Sequence, residues 1–225
     1  MRNLVKTLLS LICLTLCVFL QATAQTPDYL ILNGKKVSLH SNPLERFFES
    51  HPERSPKSEI TSTACWRGYV ATFEIKEGRF LVNKITVLIK DPKAPAKEFR
   101  TIEKDVTKTV FEDPNEPFCD WYTGAVIIPE GEVVNYVHMG YASTFERYTV
   151  LTVVKGIQTS IKSFSAKEFT EYRVAQFAAY KKTPRYKQEL AQALKEGGNE
   201  EDVERFLFEF SSEYYLSQDF SKPAN

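Results

Sequence analysis

The feature that most constrains this chain is its punctuation. Between residues 29 and 164, runs of β-branched and aromatic residues are cut by short turn signals: Asn33-Gly34, Glu77-Gly78, Pro129-Glu130-Gly131 and Lys155-Gly156. An Asn-Gly pair between apolar runs predicts a two-residue hairpin, because both central residues of a type I′ turn need positive φ. Strands joined this tightly run antiparallel, since a parallel neighbour needs a crossover of about a dozen residues or more. The expected pairs are YLIL with KKVSLH, TACWRGYVATFEI with RFLVNKITVLIKD, FCDWYTGAVII with VVNYVHMGY, and RYTVLTVV with IQTSIKSF. That makes about eight strands. Asn42-Pro43 opens a short helix, LERFFESH, with Asn42 as its cap and Pro43 in the first turn. The polar, proline-bearing stretch DPKAPAKEFRTIEKDVTKTVFEDPNEP reads as a connection with one helical turn.

After residue 164 the period changes. Ser165 and Glu168 form a capping box and open a helix that runs to about Lys181. Thr183-Pro184 starts a second helix, ending at Gly197-Gly198, and Asn199 caps a third. Val203, Phe206, Leu207, Phe210 and Tyr214 fall on one face of that third helix and are expected to pack into the core. Strands first and helices afterwards give an α+β fold: a largely antiparallel sheet of about eight strands with a C-terminal helical segment. A single domain over residues 25–225 is expected, mostly β over 28–164 and helical over 165–217.

Residues 1–24 read as a secretory signal peptide. Arg2 and Lys6 precede an apolar run over residues 8–20, and Ala22-Thr23-Ala24 supplies the small residues of a cleavage site. Lipidation at Cys13 or Cys17 is disfavoured by the bulky residues before them, Ile12 and Leu16. A periplasmic or secreted product with no membrane insertion after cleavage is expected. The chain holds 29 basic and 29 acidic residues, so no net positive field draws it to nucleic acid. Its 16 Phe and 11 Tyr argue against disorder. Two cysteines remain past the leader, Cys65 and Cys119, and an even pair in an oxidising compartment predicts one disulfide.

No phosphate loop, dinucleotide fingerprint, nucleophile elbow or HExxH occurs. His40, His51 and His138 stand far apart with no second ligand at metal spacing, so no cofactor and no metal is expected. Two segments stand out. In TACWRGYVATFEI, alternation places Arg67 on the apolar face, where it needs a carboxylate at the sheet end or serves as an anion-recognising group in a cleft. In YVHMGYASTFERY, His138, Tyr141 and Glu146 are residue types able to share a hydrogen-bond network, with the histidine able to change charge near neutral pH. Trp66, Trp121 and Tyr122 offer either cross-strand packing or a stacking surface for a sugar or peptide.

WRGYVATFEI, the segment WYTGAVIIPEGEVVNYVHMGY and the opening ILNGKKVSLHSNPLE resemble a group of uncharacterised bacterial proteins. The likeness covers residues 30–164 and implies a bacterial context, with no activity attached. The leading functional expectation is a non-catalytic binding module outside the cytoplasm, for an unknown protein, peptide or glycan. The alternative is a small extracytoplasmic hydrolase with its site near His138 and Glu146.

Overall fold

The computed structural model describes residues 24–220 except 61, 96, 114–116, 139 and 219. The signal peptide expected over residues 1–24 lies outside the described residues, apart from Ala24, which bridges to Gly140. The strands are β1 (Tyr29–Leu32), β2 (Lys35–Ser38), β3 (Val70–Lys76), β4 (Arg79–Lys90), β5 (Thr101–Asp105), β6 (Gly124–Asn135), β7 (Thr144–Val154) and β8 (Ile157–Ser165). The helices are α1 (Pro43–Ser50), α2 (Thr107–Val110), α3 (Ala166–Tyr180), α4 (Pro184–Lys195), α5 (Glu200–Phe210) and α6 (Ser212–Tyr215). The order across the sheet is β2-β1-β3-β4-β8-β7-β6, with β5 beside β4. Only the β1–β3 pair is parallel among the described strands. The fold is α+β, as the punctuation dictates.

Three hairpins close with positive φ at both turn residues: Asn33-Gly34, Glu77-Gly78 and Lys155-Gly156. The fourth turn signal behaves differently. Pro129-Glu130-Gly131 lies inside β6, where the register shifts between Glu130 and Val133. A proline is tolerated there because β6 is an edge strand. The expected strand VVNYVHMGY therefore ends at Asn135, and the segment from Tyr136 to Ser143 is the loop into β7. The long proline-bearing connection also yields a strand: β5 pairs with β4 from Lys90↔Thr101 to Thr86↔Asp105. Its sequence, TIEKD, is exposed and charged, as suits a sheet edge, and so carries no apolar alternation. The segment around Cys65 and Arg67 is a turn, and β3 begins only at Val70.

The sheet is pinched in the middle. β4 and β8 share one register pair, Arg79↔Ile157, reinforced by Phe80 N–H donating to the Gly156 carbonyl at 2.8 Å and Gln158 N–H to that of Gly78 at 2.8 Å. The two halves consequently fold face to face. Phe73, Phe80, Val82 and Ile85 of the first half pack with Val126, Ile128, Leu151 and Val153 of the second. The opposite face of β6 and β7, carrying Ala125, Ile127, Tyr148 and Val150, packs on Phe169, Phe177 and Tyr180 of α3 and on Leu207 and Tyr215. β6 is thus covered on both faces over Gly124 to Ile128, which explains its unbroken apolar run. On α5, Val203 and Leu207 are buried, but Phe206 and Phe210 are 56% and 74% exposed. The expected core stripe is therefore only half used along α5, and Tyr214 lies past its end, in α6.

The expected Cys65–Cys119 disulfide is not formed; both residues are free thiols. Cys65 donates to the Tyr69 carbonyl at 3.2 Å, close to Val70, which pairs with Thr86. Cys119 hydrogen-bonds through its N–H to Phe80 at 3.0 Å, near the other end of β4. The stretch of β4 between Phe80 and Thr86 spans roughly 20 Å at about 3.3 Å per residue. A disulfide tolerates at most about 7 Å between Cα atoms. Burial raises the pKa of both thiols, Cys119 the more.

Candidate functional site

The segment after β2 crosses from the first half-sheet to the second, and this crossing builds the site. Leu39 N–H donates to the Asp28 carbonyl at 2.8 Å, and His40 N–H to that of Ile127 at 2.8 Å. Ser41 Oγ takes the Ile127 N–H at 3.3 Å. These bonds fix His40 against β6. Its ring stacks on Tyr141 at 4.9 Å and meets Phe145 and Tyr148 edge-on at 5.3 and 6.5 Å.

His40 lines a cavity of about 320 Å³ between the sheet, the loop before β7 and the first turns of α3. Tyr141, Ser143 and Thr144 come from the loop and β7, and Lys167, Phe169 and Arg173 from α3. Helical spacing puts Phe169 and Arg173 one turn apart on the same face. Burial, and then the positive Arg173, hold the His40 pKa down to about 4. Its imidazole is therefore neutral near neutral pH, and among the described residues nothing hydrogen-bonds its ring nitrogens. Arg173 is clamped: Nη2 donates to Glu209 at 3.0 Å and to the Phe208 carbonyl at 3.4 Å, and the guanidinium lies 4.4 Å from the Phe208 ring centroid.

Behind Tyr141 runs a buried polar chain. Arg67 Nη2 donates to the Thr26 carbonyl at 2.9 Å and faces Asp28 Oδ1 at 3.4 Å, with both side chains 0% exposed. Arg67 Nη1 reaches Tyr141 Oη at 3.5 Å, and Tyr141 donates to Asn42 Oδ1 at 2.9 Å. Asn42 N–H then donates to Glu213 at 2.7 Å, and Tyr122 donates to the same carboxylate at 2.9 Å. Asn42 accordingly spends its side chain on Tyr141 and does not cap α1. Asp28 also accepts the Ala71 N–H at 2.8 Å, while its Oδ2 and Arg67 Nε lack partners. Burial raises the Asp28 pKa, Arg67 pulls it back only in part, and it settles at about 7. Burial likewise lifts Tyr141 to about 12, so its phenol stays protonated and donates.

Of the seven residues that the sequence singled out, the structure joins Arg67, Tyr141 and Tyr122 in one polar chain through Asn42 and Glu213. Tyr141 is in the cavity wall, and Arg67 touches it from behind as the paired, buried arginine rather than as an anion receptor. His138 is exposed and bonded to Tyr136 at 2.6 Å. Glu146 is on the surface, 3.7 Å from Arg147, with its carboxylate at the Glu132 N–H. Trp66 is 65% exposed. Trp121 packs on Phe47 at 5.3 Å and on Tyr122 at 6.0 Å. No network joins His138, Tyr141 and Glu146, because β6 ends at Asn135 and the loop turns His138 outward. His40 and Arg173 were missed. One signal for His40 was available: it follows the last apolar residue of a hairpin and precedes Ser-Asn-Pro, a point where the chain must change direction.

Among the described residues, no group of three or more His, Cys, Asp or Glu side chains could hold a metal ion, and no helix is long and apolar enough to cross a membrane. No family model, no curated protein and no solved structure matches this chain.

Proposed function

We propose that this is an exported bacterial binding module, non-catalytic, whose ligand seats in the cavity against His40. One observation carries the reading. A neutral imidazole with no partner at its ring nitrogens among the described residues is held by Tyr141 and the Ile127 carbonyl at the wall of a cavity of about 320 Å³. That volume lies at the small end of ligand pockets, about 300–1,000 Å³. Catalysis by such a histidine needs a nucleophile within hydrogen-bond reach and a group orienting the other ring nitrogen. His40 has neither among the described residues. The hydrolase alternative centred on His138 and Glu146 finds no support in two exposed side chains that do not meet.

The test is a ligand screen read at His40. With ring-labelled histidine, small sugars, dipeptides and organic acids are titrated while the three imidazoles are followed by NMR. At least one compound is expected to shift the His40 signals saturably, and His40→Gln to weaken it tenfold or more. Binding that is blind to His40→Gln would sink the reading. Turnover of an ester, peptide or glycoside that disappears in the same variant would replace it with an enzyme.

A further inference from the structure

The cavity wall also says what kind of molecule fits, given the reading of the cavity as a binding site. Three charged side chains line it: Lys167, Arg173 and Glu209. Glu209 is committed to Arg173 at 3.0 Å. Among the described residues Lys167 pairs only with Glu171, at 3.8 Å, and both of those side chains are mostly exposed, a pairing worth little in water. Its ammonium is available. The bonds of Arg173 engage Nε, facing Tyr215 Oη at 3.5 Å, and Nη2; Nη1 is in none of them and is not among the buried atoms left without a partner. A planar guanidinium with one amino group unengaged is a geometric match for a carboxylate oxygen. His40, neutral, lines the same cavity and adds an N–H donor. Between these donors, Tyr148 and Phe169 supply aromatic surface, stacked on each other at 4.1 Å.

We infer that the cavity takes a small carboxylic acid with an apolar body. Its carboxylate is held by Arg173 Nη1, Lys167 and an N–H of His40, and its body lies against Tyr148 and Phe169. An ion without an apolar body leaves that aromatic wall unused. A neutral isostere leaves the cationic donors unmatched. The ligand's negative charge also favours imidazolium, so occupancy raises the pKa of His40.

Benzoate and its neutral counterpart benzamide separate charge from shape. In an NMR titration of the full mature chain, benzoate is expected to bind at least tenfold more tightly than benzamide and to raise the His40 pKa, whereas benzamide leaves it unmoved. Arg173→Gln removes the fork but also disturbs Phe208 and Tyr215, so Lys167→Gln, at an exposed position, is the second variant. It should weaken benzoate by about three- to fivefold, the scale of one exposed charge contact, and leave benzamide unchanged. Equal binding of benzoate and benzamide would overturn the carboxylate assignment and leave the cavity reading standing. Inorganic phosphate binding as tightly as benzoate would overturn the apolar body. No shift of His40 by benzoate, benzamide or phosphate would overturn the carboxylic-acid assignment, and a silent wider screen would remove the cavity reading with it.

Discussion

Replacing Asp28 by Asn changes one charge in the most enclosed part of the molecule. The carboxylate is fully buried, faces Arg67 at 3.4 Å and leaves Oδ2 without a partner, so the folded state resists its ionisation. The rise from an ordinary 3.8 to about 7 corresponds to roughly 4 kcal/mol, at about 1.4 kcal/mol for each tenfold change. Below pH 4 the group is protonated in both states and that stability is fully present. As the pH climbs towards 7 the unfolded chain ionises first, binds fewer protons than the folded one, and the stability drains away. Above pH 7 nothing further is lost. The asparagine variant keeps the shape and the acceptor for Ala71 N–H but has no proton to lose, while Arg67 stays charged throughout. Urea unfolding of both proteins, followed by circular dichroism from pH 4 to 8, isolates the effect as the difference between two curves. The wild type should lose about 4 kcal/mol relative to the variant across that window. Parallel curves, or a wild type that gains on the variant as pH rises, would mean that Arg67 fully compensates the buried carboxylate, and the reasoning would fail.

Three further outcomes follow from the packing. Thiol titration of unreduced, denatured protein made to begin at Gln25 should find two reactive cysteines per chain; in the native state Cys119 should be silent, being buried and held protonated, and a single bond with no free thiol would contradict the separation along β4. Gly156→Ala should destabilise by about 2–5 kcal/mol, from the left-handed backbone and from a methyl placed 2.7 Å from the Cys119 carbonyl oxygen, whereas Gly34→Ala, with the same sign of φ but open space, should cost about 1–2 kcal/mol; equal melting shifts would refute the close approach at Gly156. His138→Gln should change stability by less than about 0.5 kcal/mol, because the ring is exposed and bonded only to the neighbouring Tyr136, and a loss above 1–3 kcal/mol would show a buried structural histidine after all.

How much was legible shows best at particular residues. Asn33-Gly34, Glu77-Gly78 and Lys155-Gly156 announced their hairpins because a type I′ turn is a local backbone demand met by very few residue pairs. The Ser165 and Glu168 capping box was equally local, and both halves of it form, Glu168 accepting the Ser165 N–H at 2.8 Å. Arg67 was legible as a problem, since a guanidinium on an apolar face needs a partner, but not which acid would solve it. Asp28 lies far from it in sequence and arrives through the parallel β1–β3 pairing, which no turn signal encodes. Pro129-Glu130-Gly131 misled for the opposite reason. The same residues serve a turn or a bulge, and the choice depends on whether β7 pairs across the bulge.

The sequence alone determined three of the four expected hairpins and the switch from strands to helices, because these rest on contacts a few residues long. Tertiary structure decided everything that depends on which surfaces meet. It brought His40 from the end of the first hairpin into the same cavity as Arg173, more than a hundred positions later. It exposed Phe206 and Phe210 on a helix whose period promised burial, and it set Cys65 and Cys119 at opposite ends of β4. Periodicity reports which face of an element is apolar; only the assembled layers fix what that face covers, and with it the cavity that His40 and Arg173 both line.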